Sequence, residues 1–155
     1  MSRPRLSAGL TGLAVALAAA AASGCGGDTE QVNVEELIER GDEICAEGRQ
    51  RFDEVQAQAP ANAAAAADQT DELVVIATDE LNELRNIRPP DELRERYDRY
   101  LEARGRALEL LEQGRDAAQD KNADAYARAQ AKAAAEQPER LKLARAVGFK
   151  VCSKS

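Results

Sequence analysis

From Val34 onward, apolar and small residues recur at alternating steps of four and three: Val34, Ile38, Gly41, Cys45, Gly48, Phe52 and Val55. That spacing keeps one face of an α-helix turned toward neighbouring helices, and Leu37 and Ile44 widen the stripe. Asn33 stands in the capping position, with Glu35 and Glu36 in the first turn facing the positive end of the helix dipole. Gly41 and Gly48 each cost about 1 kcal/mol relative to alanine in a helix. Their inward position predicts close approach of a neighbouring helix. Pro60 ends this segment, and its ring suits the first turn of the next one. Ala61–Ala67 favours helix strongly and reads as the start of the second helix, which continues through Leu73, Ile76, Ala77, Leu81, Leu84 and Ile87. The run Leu73-Val74-Val75-Ile76 has strand-like composition but no partner strand nearby, so helix is expected there too.

Arg88-Pro89-Pro90-Asp91 is the clearest break in the chain, since proline ends one helix and starts another. A third stripe follows at Leu93, Tyr97, Tyr100, Arg104, Ala107 and Leu111, flanked by Leu101 and Leu108. Arg104 on that stripe is expected to snorkel or to pair with an acid, because arginine is rarely buried alone. Gln119-Asp120-Lys121-Asn122 is a polar turn in which Asn122 caps a fourth helix bearing Tyr126, Ala129, Ala133, Leu141, Ala144 and Val147. Pro138 is expected to kink or split it near Glu136, and Gly148 to stop it as a C-cap. Phe149, Val151 and Cys152 form a short apolar tail. Residues 34–155 are therefore expected to be all-α, an antiparallel up-down four-helix bundle.

Residues 1–24 have the layout of an export signal. Arg3 and Arg5 precede an uncharged run from Leu6 to Ala22, which is too short, alanine-rich and glycine-broken to favour a permanent span. The ending Ala22-Ser23-Gly24-Cys25 resembles the lipobox of bacterial lipoproteins, with Ala22 where leucine is usual. The resemblance implies cleavage before Cys25 and a diacylglyceryl thioether on its sulfur, often with a further acyl chain. The alternative is an ordinary signal cleaved after Ala20-Ala21-Ala22. Together with the alanine and arginine richness and the Pro89-Pro90 break, the ending resembles small helical lipoproteins of high-GC bacteria, a likeness that implies no particular activity. The chain has three cysteines, Cys25, Cys45 and Cys152. If Cys25 is acylated, Cys45 and Cys152 remain as one pair in an oxidising compartment. Such a bridge is feasible if the tail doubles back along the first helix. Gly26–Asn33 reads as a tether holding the domain near the extracytoplasmic face of the membrane.

With Arg3 and Arg5 removed, 21 basic residues fall to 19 against 28 acidic ones, a net charge near −9. That sign works against nucleic acid and anionic headgroups as partners, both of which attract basic patches. Eight carboxylates lie between Asp28 and Glu47 against one base, Arg40.

The chain has no histidine, which removes the usual general base and the histidine-containing triads and di-iron ligand sets. Glu36/Glu39/Glu43 and Glu80/Glu83 are carboxylates at helical spacing, better read as a solvated face than as an acid–base pair. Asp28, Glu30 and Glu35 lack calcium-loop spacing. Tyr97, Tyr100 and Tyr126 read as amphipathic core-edge residues, with a small apolar pocket as the alternative. The cysteine pair is not in a Cys-x-x-Cys arrangement and reads as structural. No catalytic residue, cofactor or metal is called for. The functional expectation is a non-catalytic, lipid-anchored envelope module that binds another protein or a wall component. The alternative is a carrier of a small apolar ligand or lipid, against which alanine-rich, tight helix contacts argue.

Overall fold

Four α-helices account for most of residues 30–154, the part of the chain that the computed structural model describes: α1 (Val34–Gln56), α2 (Ala63–Arg85), α3 (Asp91–Gln119) and α4 (Ala123–Val147). The signal segment 1–24, Cys25 and the tether up to Thr29 lie outside the described residues. The helices form the antiparallel bundle expected, and the strand-like run 73–76 is helical within α2. No described helix is long and apolar enough to cross a membrane.

The starts of α1, α2 and α4 are set by side-chain caps. Asn33, Asn62 and Asn122 accept hydrogen bonds from the backbone N–H of Glu36, Ala65 and Ala125, each at 3.0 Å. Asn62 moves the start of α2 past the position expected from Pro60, which lies outside the helix with Ala61. Pro90 is likewise the residue before α3, not within its first turn. The α1–α2 turn is held by Gln69, whose amide donates to the carbonyls of Val55 and Gln58. The Val55 carbonyl is an end-of-helix acceptor that α1 itself leaves unmatched, and that of Gln58 lies in the turn beyond it. Gly148 closes α4 with φ 111°, a left-handed turn that favours glycine. Pro138 does not split α4, which runs unbroken through it. The missing proline N–H costs one bond in a helix otherwise built largely of alanine, arginine and glutamate, the best helix formers.

The main core lies at the end of the bundle where α1 and α3 begin and α2 and α4 finish. Leu37, Leu84, Leu93, Tyr97, Tyr100, Val147 and Phe149 are buried there together. Tyr97 and Tyr100 meet Phe149 edge-on, with ring centroids 6.2 and 5.4 Å away. Both tyrosines are full core residues, not core-edge ones. The Tyr97 hydroxyl donates to the Leu84 carbonyl at 2.6 Å, and the Tyr100 hydroxyl donates to the Cys45 sulfur at 3.6 Å. Burial pushes the Tyr100 phenol up to about 12. Leu37 is the buried residue of the first turn of α1, and Val34 on the expected stripe is instead 38% exposed. The segment read as a tether docks before α1 begins. Val32 is buried and bonds to the Arg88 carbonyl, and Gln31 reaches Pro89 and Asp91.

The helices pack in sequence, α1 on α2, α2 on α3 and α3 on α4, whereas α1 and α4 barely touch. What joins that last seam is the chain after Gly148. It doubles back along α1 and forms the Cys45–Cys152 disulfide, with Cα atoms 5.2 Å apart. The Asp42 carboxylate accepts from the backbone N–H groups of Lys150, Val151 and Cys152 at 2.7–3.1 Å. Arg49 donates to the carbonyls of Val151 and Lys154. Phe149 fills the seam between α1 and α4, lying where a side chain at Gly41 would be. The close approach predicted at Gly41 is thus made by a ring of the tail, not by a neighbouring helix.

Candidate functional site

Above the Cys45–Cys152 bridge the described residues leave the α1–α4 seam unfilled. On α4 the facing residues include Ala133 and Ala134, too small to reach across to α1. The result is a cleft of about 460 Å³, within the range of small-molecule sites. Its base is the Cys45–Cys152 bridge. Its walls are Arg49, Phe52, Asp53 and Gln56 on α1 and Gln130, Gln137, Arg140 and Leu141 on α4. Its floor is Ala77 and Glu80 on α2 and Arg104, Ala107, Leu108 and Leu111 on α3. Expected tight alanine contacts do hold between α3 and α4, where Gly114 lies against Ala129. They do not hold across the α1–α4 seam.

A polar layer crosses the bundle at the level of this cleft. Glu80 is only 7% exposed and forms an ion pair with Arg104, whose side chain is 18% exposed. The pairing expected of Arg104 is therefore made, with an acid on the preceding helix, α2. Gly48 on α1 supplies the room, because a Cβ there would lie 2.8 Å from the Glu80 carboxylate. Burial pushes the Glu80 carboxyl above its ordinary value, outweighing the opposing pull of Arg104. Arg140 adds a second guanidinium to the layer. Burial, and then the nearby Arg104 charge, pull it below the ordinary arginine value. Among the described residues it forms no ion pair. The carboxylates whose fields reach it, Glu80 and Glu136, are bonded to Arg104 and Arg106.

The expected candidates do not converge elsewhere. Glu80 is buried and Glu83 exposed, so that carboxylate pair is divided between two environments. The backbone N–H of Glu36 donates to the Asn33 cap and its carboxylate pairs with Arg40 at 2.5 Å, while Glu39 and Glu43 face solvent. Tyr126 is apart from Tyr97 and Tyr100, beside an alanine-lined pocket of about 170 Å³ at the opposite end of the bundle. Glu30 and Glu35 are exposed, Asp28 is outside the described residues, and among the described residues no acidic, cysteine or histidine cluster is arranged to hold a metal.

The residues that sequence reasoning passed over are Asp42, Gln137 and Arg140. The signal for the last two was present. Ala133, Gln137, Arg140, Ala144 and Val147 continue the four-three spacing of α4 inward, just as Ala77, Glu80 and Leu84 do on α2. Skipping the polar members of a stripe hides a polar layer. No family model, curated protein or solved structure matches this chain.

Proposed function

We propose that this protein is a lipid-anchored, non-catalytic binding module on the extracytoplasmic side of the cell membrane, and that its binding site is the α1–α4 cleft. The anchor rests on the lipobox-like ending at Cys25. Three cysteines of which two are bridged leave Cys25 as the odd one. The binding role rests on one observation: the bundle is stapled at the base of its fourth seam and left open above it. The occupant is an envelope protein or a wall component. Photo-crosslinkers placed at Gln130 and Ala134 on the cleft wall, in the host membrane, test this. A crosslinker at Glu95, whose side chain is 87% exposed on α3, serves as control. Reproducible adducts from the cleft positions and not from Glu95 are expected. Adducts from neither, or equally from all three, overturn the reading.

A second reading is favoured by the apolar part of the cleft. Phe52, Leu108, Leu111 and Leu141 line one continuous cavity, suited to a small apolar ligand or lipid carried by the bundle. Native mass spectrometry of protein from its host should then show a co-purifying lipid. Bare protein would leave only the first reading.

A further inference from the structure

The cleft has the wrong charge for its protein. The whole chain carries a net −7, yet the cleft is lined by Arg49, Arg104, Arg140 and Lys154 against only Glu80 and Asp53. One terminal nitrogen of Arg49 donates to two carbonyl oxygens, and among the described residues no carboxylate pairs with it. Arg104 shares Glu80. Arg140 is left half-buried, and among the described residues it has no carboxylate of its own. A partly desolvated guanidinium without a counter-charge is costly, and an arriving anion removes that cost. The planar fork of arginine matches the paired oxygens of carboxylates and phosphates. Next to this charge lies the apolar wall. A ligand satisfying both halves has an acidic head and a hydrocarbon body.

We propose that the α1–α4 cleft takes a single-tailed amphiphile with an oxyanion head, a carboxylate or a phosphate ester, held by Arg140 with its tail along Phe52, Leu108, Leu111 and Leu141. The proposal rests on the reading of the cleft as the binding site and adds the class of ligand. Net acidity of the remaining surface does not oppose it, because a focused positive cleft selects its ligand locally.

The test uses the full processed chain in discs of zwitterionic lipid and three photoreactive probes of equal length: decanoate, decyl phosphate and decan-1-ol, each with a diazirine in mid-chain. Adducts are mapped by peptide mass spectrometry as a function of probe concentration. Adducts on cleft-lining peptides are expected, with at least one acid reaching half-labelling about ten-fold below the alcohol, the discrimination expected of a charge-assisted hydrogen bond. Arg140→Met should raise that acid's half-labelling concentration about ten-fold and leave the alcohol unchanged, and Arg140→Lys should restore part of the difference. If Arg140→Met fails to fold, the acid-over-alcohol comparison on the unaltered chain decides alone. Equal labelling by all three probes overturns the head-group assignment while leaving an apolar cleft. No labelling by any probe, with Gln130 and Ala134 crosslinks still formed, overturns the ligand class and leaves the binding module. Loss of both removes the cleft as a site.

Discussion

Replacing Gly41 by alanine should destabilise the protein, although glycine-to-alanine in mid-helix ordinarily stabilises by about 1 kcal/mol. The reason is the Phe149 ring. A Cβ at Gly41 would sit 2.6 Å from the Phe149 Cζ and closer still to its Cε1. That ring has nowhere to go: it is 2% exposed and lies edge-on against Tyr97 and Tyr100. Overpacking a filled core costs about 1–3 kcal/mol, and two ring atoms inside the contact limit place this case in the upper half of that range. Subtracting the helix-propensity gain leaves a net loss of about 1–2 kcal/mol. Gly105→Ala is the matched control. Its nearest neighbour is the Arg85 guanidinium at 3.8 Å, an ordinary contact, so the full propensity gain of about 0.5–1 kcal/mol is expected. Urea unfolding of the oxidised chain from residue 25, with Cys25→Ser, reads both, since a domain of this size is suited to two-state treatment. Two identical substitutions should thus act in opposite directions and differ by about 1.5–3 kcal/mol. The double variant Gly41→Ala/Phe149→Leu should cost less than the sum of its parts. If Gly41→Ala stabilises as Gly105→Ala does, Phe149 is not the plug of the α1–α4 seam and the reasoning fails.

Arg104→Leu at neutral pH leaves the Glu80 carboxylate buried without its partner and should cost about 3 kcal/mol. That cost should shrink in acid as Glu80 takes up a proton. Because folding raises the Glu80 carboxyl above its unfolded value of 4.5, its contribution to stability is fully present below 4.5 and is lost as pH rises through the folded value. The stability of the unaltered chain relative to Glu80→Gln, measured by urea unfolding, should therefore fall from acid toward neutral pH; a rise would show that the ion pair outweighs burial. Reducing the Cys45–Cys152 bridge, which spans a sequence separation of 107, should lower stability by about 4–5 kcal/mol in the chain-entropy model, seen as a drop in the urea midpoint with reductant. Asp42→Ala strips the acceptor from three tail N–H groups and should cost about 1–3 kcal/mol, with faster amide exchange at Lys150–Cys152 as its local signature.

The helices were legible because their apolar spacing and their asparagine caps are local properties of the chain. Asn33, Asn122 and Gly148 do what their side chains or backbone freedom suggest within a single turn. Asn62 overrode Pro60 as the start of α2, because a side-chain cap satisfies a backbone donor while a nearby proline merely permits a helix. Val32 and Gln31 read as tether because docking on the Arg88–Asp91 turn is a long-range contact with no periodic signature. The seam between α1 and α4 is of the same kind. Phe149 and Asp42 lie over 100 residues apart in sequence, and nothing local announces that a short tail, not a helix, closes the bundle. The polar layer was half legible. Arg104 on an apolar stripe predicts an acidic partner, but the helical spacing of Glu80 and Glu83 reads as a solvated face, although Ala77, Glu80 and Leu84 share one inward stripe. Polar residues on an inward stripe are the local trace of a site, and here four helices contribute Gly48, Glu80, Arg104 and Arg140 to one level.

The most direct test is the intact mass, under native and then denaturing conditions, of the protein extracted from its host membrane. A chain beginning at Cys25 is expected, carrying a diacylglyceryl adduct and gaining two hydrogens on reduction as the Cys45–Cys152 bridge opens. Under native conditions it should retain a small acidic amphiphile that denaturation releases. A soluble chain cleaved near Ala22, with Cys25 free or joined to a second chain, would contradict the account.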